Sequence, residues 1–195
     1  MTTIFFINSC IIVKNDEESR VQKITLSPKP VIPMSDELVR SKAGDMISNI
    51  PEGWFFVEVE DKLSADIFSV AVNPDYTLAA VFSSYRKSGK NNDVVLKEGL
   101  LGLARLAYDK RFNKSGGSLK QYGKYSTLEL GTLNFGRYDF LNEETNYPAS
   151  SVVFISSLDN YYEFSLIPLK INQKMPPSKD DFENIFKSIL ATIQY

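Results

Sequence analysis

The chain has 195 residues, a net charge of −2, 43% apolar and 24% charged residues, which is ordinary globular usage. Collagen, a wholly disordered chain and a polytopic membrane protein are excluded, and the length favours one domain with or without a tail. It has no histidine and a single cysteine, Cys10, which removes Ser-His-Asp and Cys-His nucleophilic sites, histidine-ligated zinc, intrachain disulfides and cysteine-bound iron–sulfur clusters.

Residues 1–37 differ in character from the rest. Ile4 to Ile7 form a short apolar run, then come Asn8, Ser9 and Cys10, a charged stretch from Lys14 to Arg20, and Pro28, Pro30 and Pro33. Closely spaced prolines favour extended chain, so the segment reads as a tail or tether. Ile7-Asn8-Ser9-Cys10 resembles a bacterial lipobox, which makes Cys10 a candidate lipid anchor. The apolar run is shorter than a signal h-region and no Lys or Arg precedes it, so this reading expects a longer leader upstream of Met1. The other reading is an edge strand over 4–13 with Cys10 as a small buried hydrophobe.

The folded part is expected over 38–195. Two short runs, 39–42 and 46–50, flank Ala43-Gly44-Asp45 and predict a hairpin. Pro51-Glu52-Gly53-Trp54 interrupts, and Phe55 to Val59 then alternates. Phe68 to Val72 and Thr77 to Tyr85 read as strands around the turn Asn73-Pro74-Asp75. Ser88 to Asn92 reads as a polar loop, with Asp93 as N-cap of a helix through about Phe112 that stops near Gly116-Gly117. Leu96, Leu100, Leu103 and Ala107 make its apolar face, and Arg105 and Asp109 sit at i,i+4 opposite. Gly99 and Gly102 flank that face and each costs about 1 kcal/mol against Ala, so they predict a close approach to a sheet.

Four more strands are expected over 125–133, 135–141, 151–156 and 161–166, with breaks at Asn134, Asn142, Pro148 and Asp159-Asn160. After a linker, 172–177, Ser178 and Asp181 match a capping box. Phe182, Ile185, Phe186, Ile189, Leu190 and Ile193 then form a stripe that must bury against a sheet. Hairpin-length connections make the fold class α+β, a mainly antiparallel β-sheet covered by helices.

Candidate chemistry is sparse. Ser84 and Lys87 fit S-x-x-K, but Ser84 ends a strand rather than starting a helix. Ser88-Gly89-Lys90 lacks the upstream glycine of a P-loop. Glu58 and Glu60 share a strand face with nothing assembled around them. Between residues 105 and 124 six basic residues, Arg105, Lys110, Arg111, Lys114, Lys120 and Lys124, face a single acidic one, Asp109. That run is either a docking patch for an acidic protein partner or anionic headgroup, or a solvated helix end whose cations complement the helix dipole. Asp180, Asp181 and Glu183 fit a helix N-terminus in the same way. Trp54 reads as a packing anchor, and Tyr122, Tyr125, Tyr138 and Tyr147 are candidates for a groove.

Ile50-Pro51-Glu52-Gly53-Trp54 resembles the strand entry of PsbP-like domains. Tyr161-Tyr162-Glu163-Phe164 resembles that family's last strand, and Phe182-Glu183-Asn184-Ile185-Phe186-Lys187-Ser188-Ile189 its terminal helix. The family is named for an extrinsic photosystem II subunit. It shares its fold with a nuclear Ran-GTPase-binding import factor and with small bacterial proteins, often envelope lipoproteins. The resemblance, over about 38–195, implies a PsbP-like α/β/α sandwich and a non-enzymatic accessory or binding module. It implies no cofactor and a protein partner; the near-neutral charge gives no reason to expect nucleic acid, and together with the lipobox-like run the expected location is a bacterial envelope with a membrane tether through Cys10. The alternative is a soluble intracellular interaction module of the same fold. The matched motifs are packing and turn features, so no catalytic, cofactor or metal residue comes with them.

Overall fold

A computed structural model describes residues 28–58, 65–142, 147–171 and 174–195. Cys10 and Glu60 lie outside the described residues.

The chain opens with a hairpin, β1 (Met34–Arg40) and β2 (Ile47–Pro51), which forms its own two-stranded sheet. The predicted turn residues Ala43 to Asp45 connect it, with Gly44 at φ 78°. β1 starts three residues before the expected end of the tail. Upstream of it the Val31 N–H donates to the Ser188 hydroxyl at 3.0 Å, so the folded unit reaches back at least to Val31.

Then come β3 (Phe55–Phe56), β4 (Ile67–Val72) and β5 (Leu78–Tyr85), a helix α1 (Gly89–Lys114), the strands β6 (Leu119–Leu130), β7 (Leu133–Asn142), β8 (Pro148–Ile155) and β9 (Tyr161–Pro168), and a helix α2 (Lys179–Thr192). The seven strands after the hairpin form one antiparallel sheet in the order β3-β4-β5-β9-β8-β7-β6. α1 therefore carries the chain from β5 to the far edge, and a meander returns it until β9 pairs with β5 over eight residues.

The strand period of two separates the sheet's faces. Phe82, Phe154, Phe164 and Leu166 point to one side, where Phe186, Ile189, Leu190 and Ile193 of the predicted stripe bury against them with Trp54, Val39 and Ile50. Phe186 stacks on Phe164 at 5.5 Å between ring centroids. The stripe thus covers a β-sheet, as expected. Ser178 caps α2 by accepting the Asp181 N–H at 3.2 Å. On the other side, Leu103, Ala104 and Ala107 of α1 pack on Tyr138, Phe140, Ala149 and Val153. The sheet is sandwiched between α1 and a layer made of α2 with the β1–β2 hairpin.

The long helix departs from its predicted shape. It starts five residues early because Ser88, not Asp93, is the N-cap and accepts the Asn91 N–H at 3.2 Å. Gly99 lies at φ 61°, ψ −145°, which breaks the helix into two segments. The kink shifts the phase, so Leu96, expected on the buried face, is 85% exposed. Arg105 pairs with Glu98 across the kink rather than with Asp109. The close approach of helix to sheet is real, but the glycine that permits it is on the strand. A Cβ at Gly136 of β7 would lie 2.4 Å from the Leu100 carbonyl oxygen. Gly102 instead meets Val94 and Glu98 of the preceding segment.

Strand boundaries also move, most of all at β6, which begins at Leu119 rather than Tyr125. β6 and β7 turn at Gly131-Thr132, with Leu130 opposite Leu133, so Asn134 lies inside β7. Gly131 at φ 65° supplies the hairpin backbone that Asn134 was expected to provide. Pro148 does not break a strand but opens β8, a position that tolerates a missing N–H.

Candidate functional site

The sheet face beneath α1 is polar at its centre. Ser83 of β5, Glu163 and Ser165 of β9, Ser151 of β8 and Tyr138 of β7 all point toward α1 and are buried. Glu163 is 8% exposed. A buried carboxylate needs a charge partner, and α1 provides it. The stripe Leu103, Ala107 advances one further turn to Arg111, which puts the guanidinium under the helix rather than in water.

One Arg111 Nη donates to Glu163 Oε1 and to Ser165 Oγ, both at 2.8 Å, and Nε donates to the Tyr138 hydroxyl at 3.3 Å. The plane of the guanidinium stacks on Phe140 at 4.9 Å. The Tyr138 hydroxyl donates to Glu163 Oε1, and Ser83 donates to Oε2 at 3.4 Å. Ser151 and Ser165 share a hydrogen bond of 2.6 Å. Among the described residues no buried side-chain polar atom lacks a partner.

Burial raises the cost of charge on Glu163, but the Arg111 charge and the Tyr138 hydroxyl outweigh it and hold the carboxyl below its ordinary value. Burial, reinforced by the Glu163 charge, pushes the Tyr138 phenol well above its usual range. Both shifts favour the ionised carboxylate and the protonated phenol.

The network floors a cavity of about 290 Å³ whose wall carries Lys110 and Lys114 of α1 and Asp66, just before β4. The Lys110 Nζ donates to Asp66 Oδ2 at 2.6 Å and lies 4.6 Å above the Tyr85 ring, and Lys114 comes within 3.7 Å of the same oxygen. The hydrogen bond from Lys110, with the charges of both lysines, holds the Asp66 carboxyl below its ordinary value. A second cavity of about 180 Å³, between Leu119, Phe140 and Tyr147, also borders Arg111.

The structure therefore brings together three of the six basic residues, Lys110, Arg111 and Lys114. Arg105 points away from this cavity, exposed beside Glu98, and Lys120 and Lys124 lie exposed on β6 at the sheet edge. The four tyrosines do not form a groove. Tyr138 is buried, Tyr125 packs edge-on against Tyr108 at 6.3 Å, Tyr122 is exposed on β6, and the Tyr147 hydroxyl donates to the Met175 sulfur. Ser84 lies in β5 and donates to the Asp66 carbonyl, while Lys87 pairs with Asp159.

In the sequence Glu163 belongs only to a strand motif and carries no site signature. The available signal was a carboxylate in a strand of otherwise apolar and aromatic residues, together with a cation one turn beyond a buried helical stripe. On the opposite face a hydrogen-bonded carboxylate and one ion pair add to the apolar packing. Asp45 accepts from Ser41, Ser156, Asn160 and Tyr162, tying the β1–β2 turn to the β8–β9 turn. Arg137 of β7 makes a two-pronged pair with Glu183 of α2 at 2.8 and 3.1 Å.

Among the described residues no group of three acidic, cysteine or histidine side chains could hold a metal ion, and no helix is long and apolar enough to cross a membrane. No family model and no curated protein matches the sequence. Solved structures do match. The solution structure of cyanobacterial PsbP (CyanoP) from Synechocystis sp. PCC 6803 aligns with 89% of this chain and 96% of its own, at a TM-score of 0.58 and 10% identity. A crystal structure from Bacteroides thetaiotaomicron VPI-5482 aligns with 81% of this chain and 47% of its own, at a TM-score of 0.41 and 17% identity. LpqN, involved in cell envelope biogenesis of Mycobacterium tuberculosis, aligns with 83% of this chain and 92% of its own, at a TM-score of 0.39 and 12% identity. Identity this low carries architecture and no chemistry. With the sheet order, the two covering layers and the CyanoP alignment agreeing, the chain has a PsbP-like α/β/α fold.

Proposed function

We propose that this chain is a non-enzymatic binding module of PsbP-like fold, tethered to a bacterial cell envelope through Cys10, that docks an acidic protein partner against the C-terminal half of α1. The observation that carries the docking role is the convergence of Lys110, Arg111 and Lys114 on one cavity. Arg111 is committed to Glu163 and sets the floor. Lys110 and Lys114 stand at the mouth, one turn apart on the helix, and their shared contact is a carboxylate, that of Asp66. Three cations line the cavity against two carboxylates, those of Asp66 and Glu163, and the surplus positive charge at the mouth favours a carboxylate from a partner.

A chemical-shift titration with poly-glutamate tests the docking role. Resonances of α1 around Lys110 and Lys114 move, and Lys110→Glu with Lys114→Glu abolishes the movement. Shifts unchanged by the double reversal would remove this cavity as the docking site. Labelling with radioactive palmitate in a bacterial host tests the tether. Incorporation lost in Cys10→Ser supports it, and no incorporation with the native upstream sequence present favours the soluble intracellular alternative.

A further inference from the structure

The opposite side of the molecule carries a second surface of different chemistry. Two cavities, of about 530 and about 410 Å³, flank Trp54 and share both Trp54 and Ile185 of α2. They meet at those two side chains and form the two halves of a groove, the first between α2 and the β2–β3 corner, the second between α2, the β4–β5 turn and the segment 174–177. Pro33 and Pro51 wall one end and Met175 and Pro177 the other. Prolines offer no N–H, so an occupant is held by side-chain contact more than by backbone pairing. Met175 is 72% exposed, and an exposed, unbranched thioether adapts to varied apolar partners.

The rim is acidic. Glu52 and Asp181 border one cavity and Asp75 the other. Asp75 is paired with Lys174 at 2.8 Å. Glu52 and Asp181 are both exposed, and the Asp181 carboxylate, which accepts from the Ser178 hydroxyl at 2.7 Å, keeps its charge at the rim. We propose that this groove binds an extended peptide segment whose apolar side chains pack on Trp54, Ile185 and Met175 and whose flanking Lys or Arg residues meet Glu52 and Asp181. The charge complementarity selects this occupant over an acidic peptide or an anionic membrane. The groove is independent of the α1 cavity, which lies across the sheet and carries the opposite charge.

Trp54 is the single tryptophan of the chain and, although only 9% exposed, lines both cavities, so its fluorescence reports changes at the groove wall. A short synthetic peptide with a Leu-Pro-Val-Leu core flanked by lysines is titrated into the full chain. The expected result is a saturable shift of Trp54 emission that weakens as salt rises, with the glutamate-flanked version of the same core roughly fivefold to tenfold weaker. Glu52→Lys, a change at an exposed loop residue away from the α2 cap, narrows that preference, and Asp181→Asn, which keeps a side-chain oxygen to accept from Ser178, narrows it further. Equal affinity for the two peptides, or no emission change with either, would overturn the proposal. An emission shift that follows the protein's own concentration, with a matching rise in sedimentation coefficient and no peptide response, would assign the groove to a second copy of the chain instead.

Discussion

The two faces of the seven-stranded sheet are held by different physics. Toward α2 the sheet offers rings and branched aliphatics, Phe82, Phe154, Phe164 and Leu166, and the helix answers with Phe186, Ile189 and Leu190. Toward α1 the centre of the same strands offers Ser83, Glu163, Ser165, Ser151 and Tyr138, and the helix answers with Arg111. An apolar face is non-directional and stabilises in proportion to the area removed from water. A buried ionic network contributes little net stability but is costly to break by removing one partner. The first face holds the fold together, and the second fixes where α1 sits and leaves its cations around a cavity.

The largest effects are expected at the centres of the two faces. Phe186→Ala removes a fully buried ring and costs about 3–5 kcal/mol, and Arg111→Met, which strands Glu163, costs about the same. Their responses to a second change separate them. Adding Glu163→Gln to Arg111→Met returns most of the lost urea midpoint, because a neutral amide no longer needs the guanidinium, whereas the same change leaves Phe186→Ala no better. If Glu163→Gln fails to rescue Arg111→Met, the ionic account of the α1 face is wrong.

Gly136→Ala drives a methyl against the Leu100 carbonyl and is expected to cost about 1–3 kcal/mol. It should also shift resonances of α1 while sparing those of α2. A change distributed over both helices would break the separation of the faces.

Acid sharpens the comparison further. Glu163, Asp45 and Glu183 all have carboxyls held below their ordinary values in the folded chain. The unfolded chain therefore takes up protons first as pH falls. Their stabilisation is present above the ordinary values of 3.8 for Asp and 4.5 for Glu and is lost as pH drops through these toward the folded ones. Urea midpoints should fall below about pH 4.5, and the fall should be shallower in Arg111→Met with Glu163→Gln. The smallest effect is at the α2 terminus, where Ser178→Ala removes the cap and costs about 1 kcal/mol in thermal or urea unfolding.

The α2 face was legible in the sequence because its signal is periodic. A stripe with 3.6 spacing and strands alternating Phe, Val and Leu each announce a buried side. Ser178 with Asp181 placed the helix start without tertiary help. The α1 face was legible only in part. Its stripe was readable to Ala107 but not to Arg111, since an arginine at a helix end reads equally as a dipole partner in water. Glu163 becomes meaningful only once β9 lies beside β5 and β8, so that its side chain and Arg111, 52 residues apart, meet.

The amino-acid order alone determined the class of fold, the two helices, most strands and the apolar seal under α2, because these rest on local periodicity and on turn chemistry within a few residues. Only the tertiary structure decided the Gly99 kink, the strand glycine that admits α1, the ionic floor and the grouping of three cations out of six. Those features depend on which strands become neighbours, and pairing across a sheet is set by long-range packing that short sequence windows do not contain.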